Sequence, residues 1–570
     1  MTVKFLNQAG LYTSEKIASD KDHYICCGCV FNPPKEQSLI DFYAGLAKDP
    51  KSLINYETDI ALAYHQADQN RVVLLRDAAG ITPLFYARHN QGWAFATNLD
   101  DLFKILGGPP PLNELTFFDF VATHYRHVFR DPSRTFHQGV NQVPAGSYVI
   151  LNQDKAIVER WFNMPFDPQA SKMTRQEASE RYVSLLDENV KIRLKALEGE
   201  RYTFTVSSGM DSAAVCALAD RSSSKQLETW FIAYRDQSGS PYDETAGVEA
   251  LIKETGWKLN RIDLTAPDLL SETTDLIELT KAPIITVTWL AHYVMAQRVL
   301  EQGYDYLFSG LGGDESLAGE FEHFFVFFAD LFAQGETELL EKETQAWIRL
   351  HDHPVFKKSP AVRDDWFRRN IDFNAKKIKV DQNRYLANRD YFKRDWYHSI
   401  SEINPPIPMP TPFPYFLSNR LFQEMNFETS PPTLWSEALS SRAAGVKGIF
   451  PMTSPRLLSL ALSLPGTFKY EDGVTKMLLR RALKGILPDC SRLNPVKTGF
   501  NAPLDLWLRE KKLNSDCFDL LNSASLLNLG WISRKSIETI LKEHLTGAKN
   551  HMMLLWPLIC TAIFVEKNRA

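Results

Sequence analysis

From Tyr202 onward, short apolar runs alternate with helical segments, and two of the runs end in strings of small residues and carboxylates. The first, Tyr202–Val206, leads into Ser207-Ser208-Gly209-Met210-Asp211-Ser212, and Ala213–Ala219 behind it reads as helix. The other, Tyr304–Phe308, leads into Ser309-Gly310-Leu311-Gly312-Gly313-Asp314-Glu315. Between them Leu227–Tyr234 reads as a strand and Glu244–Glu254 as a helix. Strands joined by helical crossovers predict a parallel sheet wrapped on both faces. In such sheets ligands sit beyond the carboxyl ends of the strands, which is where both glycine-containing segments fall.

A strand-to-helix turn aims backbone N–H groups and the positive helix end at an anion. In the first segment the hydroxyls of Ser207, Ser208 and Ser212 are suited to donate to phosphate oxygens. Gly209 lets the backbone approach closely, and Asp211 can hold a cation. The segment lacks Gly-Lys-Ser/Thr and is not the common nucleotide-hydrolase loop; taken alone, it also reads as a bland polar turn. Asp211 and Asp314, at neighbouring strand ends, can share one magnesium ion between triphosphate oxygens. Lys476 and Lys497 lie in polar surroundings and can neutralise pyrophosphate or an anionic intermediate. Singly, each also reads as a solvated surface lysine.

The rest of the chain is organised around this core. Residues 1–165 look strand-rich, with Ile60–Tyr64, Arg71–Leu75, Gly92–Ala96 and Ser147–Leu151 as β-type runs and Asn90-Gln91-Gly92 as a hairpin turn. Polar residues 167–172 read as a linker. Thr174 with Glu177 three residues on has capping-box spacing, and Ala178, Tyr182, Leu185, Leu186 and Ile192 fall on one face of the helix that follows. Domains are therefore expected at 1–165 and 174–570. The segment 321–435, rich in aromatic residues, gives no clear topology; it reads as a substrate-access element, a second core or an oligomer contact. Beyond it the chain is mainly helical, with Leu457–Leu464 and Lys476–Leu483 clearest.

Composition narrows the partners. A net charge of −5 gives no electrostatic reason to expect nucleic acid or an anionic membrane. The longest apolar stretch, Met552–Val565, is broken by Pro557 and falls short of the ~20 residues that span a bilayer; a buried helix is expected. The opening Met1–Tyr12 lacks a signal-peptide layout, and 7 scattered cysteines read as reduced thiols, so a cytoplasmic protein is expected. Cys26 and Cys29 make one C-x-x-C, but no second pair follows and the segment does not look like a helix start, so a zinc or redox site is not expected. His351-Asp352-His353 could suggest a metal pair, but with no further ligand at useful spacing a hydrogen-bonded loop is expected.

Together these residues resemble the asparagine synthetase family over almost the whole length. The family's Ser-Gly-Gly-x-Asp-Ser loop is here Ser207–Ser212, with Ser208 in place of the first glycine. Its Ser-Gly-x-Gly-x-Asp-Glu segment is Ser309–Glu315. Leu460–Pro465, Asp472-Gly-Val-Thr-Lys476 with Arg480 and Ala482, Lys497-Thr-Gly-Phe500, and Pro503-Leu-Asp505 with Trp507-Leu508 follow the family pattern in order. The resemblance implies an α+β, Ntn-hydrolase-like N-terminal sandwich and an α/β ATP-pyrophosphatase (adenine-nucleotide α-hydrolase-like) domain with a parallel sheet. It implies ATP and Mg2+ as cofactors, with Asp211 and Asp314 holding the metal. Ser207, Ser208, Gly209, Met210, Asp211 and Ser212 would grip the pyrophosphate portion. Val206, Ile232, Ser309, Gly310 and Gly312 would surround the nucleotide. Lys497 would steady the reaction intermediate, and Lys476 would lie near the leaving pyrophosphate.

The front half departs from the family. Arg76-Asp77-Ala-Ala-Gly80-Ile-Thr-Pro83-Leu-Phe-Tyr86 looks like part of its glutamine-hydrolysing domain, yet that domain works through an N-terminal cysteine and this chain reads Met1-Thr2-Val3. Thr2 can be a nucleophile after methionine removal, but the loops that hold glutamine are not found. The chain thus resembles branches that make amides from other amines, the β-lactam synthetases and lasso-peptide cyclases. There a tyrosine pairs with a downstream glutamate to take the amine's proton. No such tyrosine is placed here, and Leu311 cannot transfer a proton. Glu437 falls roughly at the downstream acid; it reads equally as a base and as an ordinary exposed helix residue. The expectation is an AMP-forming carboxylate–amine ligase acting on a small amino-acid-derived or peptide substrate, with ring closure leading, and a homodimer compatible with it. Alternatives are intermolecular ligation, ammonia-dependent asparagine synthesis, or a non-catalytic ATP-binding partner subunit.

Overall fold

The computed structural model describes residues 17–18, 23–34, 37–90, 92–223, 225–234, 239–240, 242–265, 269–351, 358–379, 388–495 and 502–568. Among them, the first half holds strands β1 (Ile17–Ala18), β2 (His23–Val30), β3 (Thr58–Gln66), β4 (Arg71–Arg76), β5 (Phe85–His89), β6 (Gly92–Ala96), β7 (Val140–Gln142), β8 (Ser147–Leu151) and β9 (Ala156–Arg160). They form a six-stranded sheet in the order β1-β2-β3-β4-β8-β9 and a three-stranded sheet in the order β6-β5-β7, antiparallel throughout. Side chains alternate between faces along a strand. Ala61, Ala63, Val72, Leu74, Val149 and Leu151 therefore meet Leu84 and Tyr86 between the two sheets. Ile60, Leu62, Tyr64, Val73 and Leu75 point the other way, toward Phe42, Tyr43 and Leu46 of helix α1 (Leu39–Lys48). Phe85, Ala87 and Ala94 on the far face of the small sheet meet Leu99, Leu102 and Phe103 of α2 (Leu99–Leu106). The result is a helix–sheet–sheet–helix stack, and each strand read from the sequence is present.

The Arg76–Tyr86 stretch is a structural corner. Arg76, buried, donates to the carbonyls of Thr82 at 2.9 Å and Val143 at 2.8 Å, while Asp77 accepts from the backbone of Ala79, Ile81 and Thr82. Cys26 and Cys29 are three apart on β2 and so face opposite sides of the sheet. Burial, offset in part by a bond with Tyr43, pushes the Cys26 thiol up to about 12.

The second half opens with α3 (Arg175–Ala196), whose capping box joins Thr174 and Glu177 as the spacing predicts. Residues 167–172 are no free linker: Asp167 N–H donates to Ser463 Oγ at 2.8 Å, and Ala170 is fully buried. Strands β10 (Tyr202–Thr205), β11 (Glu228–Tyr234), β12 (Lys258–Leu264) and β13 (Tyr306–Phe308) follow, crossed by α4 (Met210–Asp220), α5 (Thr245–Thr255) and α6 (Val287–Glu301). A fifth strand, at Lys447–Ile449, completes a parallel sheet whose order from one edge is β12, β11, β10, β13 and then this strand. Three residues in a mixed context left that strand without a sequence signal. The strand order reverses direction at β10, between β11 and β13, so a crevice opens beyond the carboxyl ends of β10 and β13.

Segment 321–435 is mostly helical and supplies a core. α7 (His323–Gln334) and α8 (Phe416–Phe427) bury Phe324, Phe325, Phe327, Phe328, Phe416 and Leu417 with Trp347, Phe367 and Tyr470. Each such side chain withdrawn from water stabilises the fold by roughly 1.5–3 kcal/mol. The carboxylate of Asp330 on α7 accepts the Phe416 and Leu417 N–H groups at 2.6 and 3.0 Å, satisfying the first donors of α8 from another helix.

The two halves share their cores. Phe129 and Phe136 lie against Trp435 of α9 (Ser430–Ala443), with ring centroids 5.1 and 6.1 Å apart. Phe117 packs on Trp531 and on Phe564 of the last helix, Met552–Asn568. That helix is buried and carries Pro557 within it; no helix among the described residues is long and apolar enough to cross a membrane. Arg193 of α3, 1 % exposed, reaches Glu57 at 3.4 Å and Asp59 at 3.8 Å in the front half, and Ser454 donates to Glu57 at 2.7 Å.

Candidate active site

At the crevice the first segment turns from β10 into α4. Gly209 is the N-cap residue, and no side chain caps the helix, so its first N–H groups are turned to whatever binds there. The loop is held by its own hydroxyls. Ser207 N–H donates to Ser212 Oγ at 3.1 Å, the Ser207 and Ser212 hydroxyls are 2.8 Å apart, and Gly209 N–H donates to Ser207 Oγ at 3.2 Å. Ser208 does not offer its hydroxyl to a phosphate as its type suggested. Both its N–H and its Oγ donate to the buried carboxylate of Glu244, at 2.9 and 2.8 Å. Replacing Ser208 by glycine keeps the backbone bond, and we expect ATP-dependent activity and the KM for ATP to stay within about threefold of wild type, as steady-state kinetics would show.

The second segment is pressed against the first. A Cβ at Gly310 would lie 2.3 Å from Ser212 N, and one at Gly313 would lie 2.3 Å from Asp211 Cγ, so only glycine fits at either position. This close approach brings Asp211 and Asp314 together. Lys476 Nζ stands between them, 2.5 Å from Asp211 Oδ2 and 2.7 Å from Asp314 Oδ1. Lys476 has φ of +59°, a left-handed conformation unusual for a side-chain-bearing residue, and it begins helix α10 (Met477–Ala482). The strain, about 1 kcal/mol or more, is what lets the ammonium turn back over the carboxylates. The sequence expected Lys476 beside the leaving pyrophosphate; here it is the cation that the two aspartates share.

These groups line one cavity of about 510 Å3. Ser207–Ser212, Val206, Ser309, Gly310 and Asp314 border it. Ile232 and Gly312 are not among the wall residues: Ile232 is buried within β11, and Gly312, at φ +97°, serves a turn against Thr453. Leu311 both borders the cavity and packs on Ile81, Leu434 and Phe450. Lys497 lies outside the described residues, as do Thr2, Gln91 of the hairpin turn, and Asp352 and His353; Pro495 and Ala502, on either side of the Lys497 segment, both border the cavity. His351 contacts the Gly473 carbonyl at 2.7 Å.

Glu437 is not the exposed helix residue that one expectation made it. It is 2 % exposed and absent from the cavity wall, with Oε1 accepting the Ser441 hydroxyl at 2.7 Å and Oε2 lying 2.9 Å from His292 Nδ1. His292 does border the cavity, as do Tyr125 and Arg126 of the front half and Tyr242, whose hydroxyl donates to Asp505 at 2.6 Å. None of these carried a sequence signal: each is isolated in the chain and gains its meaning from residues more than a hundred positions away. Glu315 is also at the wall, and burial, reinforced by Asp314, pushes its carboxyl up to about 8.

The donor set suits a hard divalent cation. Among the described residues no cluster of three or more His, Cys, Asp or Glu side chains could hold a metal alone. Magnesium, however, is commonly held by one or two carboxylates together with substrate phosphates, and Asp211 and Asp314 provide that pair beside an uncapped helix N-terminus.

The comparisons with known proteins concern both halves. The Asparagine synthase family model matches residues 181–566 and the Glutamine amidotransferase domain model matches residues 46–162. A "Putative asparagine synthetase [glutamine-hydrolyzing]" of Mycobacterium tuberculosis (strain ATCC 25618 / H37Rv) is 23% identical over 521 residues, 86% of this chain and 74% of the relative. "Asparagine synthetase [glutamine-hydrolyzing] 1" of Bacillus subtilis (strain 168) is 21% identical over 517 residues, 86% and 75% of the two chains. "Amidase chyE" of Penicillium rubens is 24% identical over 292 residues, 48% of this chain and 41% of its own.

Proposed function

The chain belongs to the asparagine synthase family and is an ATP-dependent ligase; from that premise we propose that it adenylates a substrate carboxylate and transfers the acyl group to an amine within the same small molecule. The observation that carries this reading is the pairing of Asp211 and Asp314 through Lys476 at the mouth of α4, where the strand order reverses. On this reading the back half is an ATP-pyrophosphatase-type domain and the front half an Ntn-type sandwich that no longer hydrolyses glutamine.

The roles follow from position. The α4 N-terminus and the 207–212 loop bind the phosphates. Asp211 and Asp314 would hold magnesium, which supplies charge neutralisation on the departing pyrophosphate. As phosphates and metal enter, the Lys476 ammonium exchanges the carboxylates for phosphate oxygens and stays within the same charge cluster. The substrate carboxylate attacks the α-phosphorus, the bond to pyrophosphate breaks, and the acyl-adenylate remains in the cavity. The amine then attacks the acyl carbon and AMP leaves with the electron pair.

The amine is placed on the substrate because the arginine- and asparagine-containing loops that hold glutamine in the family are not found in the sequence of the front half. Its cysteines, Cys26, Cys27 and Cys29, lie within β2. The relatives named as asparagine synthetases favour a second reading, amidation of aspartate; with free ammonium as the nitrogen source it needs no glutamine site.

ATP–pyrophosphate exchange across L-aspartate, N-acylated diamino acids, β-amino acids and short peptides tests the proposal. We expect magnesium-dependent exchange with one class and a product lighter than its substrate by one water. Asparagine from aspartate and ammonium would favour the second reading, and hydrolysis of ATP to ADP and phosphate in place of exchange would defeat both.

A further inference from the structure

We propose that His292 accepts the proton of the attacking amine and that Glu437 is its positioning residue; this deepens the ligase reading above and rests on it. Helix α6 begins at the rim of the crevice, and Val287, Trp289, His292 and Met295 on it border the cavity. α9 packs along α6 and brings Glu437 behind His292, so that Oε2 lies 2.9 Å from Nδ1. The carboxylate is fixed at its other oxygen by Ser441, and the imidazole is fixed on a second side by Trp289, edge to face with centroids 4.9 Å apart. A carboxylate this close to Nδ1 electrostatically favours a proton on that nitrogen.

Several other ionisable groups at the wall are engaged with neighbours. Asp211 and Asp314 share Lys476, Tyr242 donates to Asp505, and Glu320 lies 3.9 Å from Arg126. The step is balanced without any further reagent. The neutral amine nitrogen forms the new C–N bond, the acyl C–O bond to AMP breaks, and the nitrogen's proton passes to Nε2, making an imidazolium beside the Glu437 carboxylate. The ring later returns that proton to solvent.

Adenylation needs no such proton transfer, so the two half-reactions separate the role from simple damage. With the carboxylate probes named above and the full chain, His292→Ala should keep pyrophosphate exchange within about threefold of wild type. It should lose about a hundredfold in amide product, and added imidazole should restore part of the loss. Glu437→Gln should keep exchange and lower product about tenfold. In 15N-histidine spectra, with His292→Ala identifying the signal, it should also remove the Nδ1–H tautomer of His292. Equal falls in exchange and product, or unchanged product, would overturn the role of His292 while leaving the ligase reading standing. A wild-type chain that exchanges with no carboxylate would overturn the ligase reading itself.

Discussion

Asp211→Asn will lower ATP–pyrophosphate exchange about 10^3-fold and leave thermal unfolding nearly unchanged. The magnitude is that of removing one preorganised electrostatic contact from a site where charge develops in the transition state. Asparagine has the same shape and still fits against Gly313, where a Cβ would already have met Asp211. What it removes is one negative charge from the pair that shares Lys476. Lys476 keeps Asp314 at 2.7 Å, so no buried charge is stranded and the fold has little reason to respond. Asp314→Asn should behave alike. Exchange assayed over a range of magnesium concentrations checks the cause: a deficit that narrows as magnesium rises points to the carboxylates as metal ligands. Retained exchange in both variants would refute the assignment of the pair.

Glu424→Gln will destabilise the chain by about 3–5 kcal/mol, the usual consequence of breaking a buried charge network on one side. Glu424 is fully buried, with His323 Nε2 2.7 Å from one oxygen and Arg420 at 2.9 Å and Arg126 at 3.8 Å from the other. Burial alone would raise its carboxyl; the His323, Arg420 and Arg126 charges overcome this and hold it well below the usual carboxylate range. A carboxyl lowered in the folded state stabilises above its unfolded pKa, and that contribution is lost as pH falls toward the folded value. The wild-type advantage over Glu424→Gln should therefore be complete at neutral pH and shrink only on acidification below the ordinary carboxylate range. Urea unfolding at several pH values reads this directly. A variant as stable as wild type at pH 7 would show that the network only orders side chains.

The two glycine-containing loops at the cavity could be read from the sequence because their pattern is local. Small residues and a carboxylate directly behind an apolar run mark a strand end, and both strands are where the runs placed them. The meeting of Asp211 with Asp314 was inferred from topology, and the structure adds the reason: Gly310 and Gly313 leave the space. Other parts were not legible for equally physical reasons. Lys476 was singled out, but its left-handed turn back onto the aspartates leaves no mark in the neighbouring residues. His292 sits on a helix of ordinary composition, 145 positions from the glutamate behind it. Helices α7 and α8 in the 321–435 segment are buried on several sides, so the apolar stripe that would reveal a helix facing one core is absent from them. Ser208 shows the converse error, a residue of the right type whose hydroxyl is already taken by Glu244.

The shared aromatic packing bears on how far this chain can be trimmed. A cut near residue 165 would not yield a free-standing catalytic half. It would bare Trp435, Trp531 and Phe564, strand Arg193 without Glu57 and Asp59, and take Tyr125 and Arg126 out of the wall around the substrate. A front half that had stopped hydrolysing anything would still be kept by selection, as scaffolding that the remaining reaction stands on.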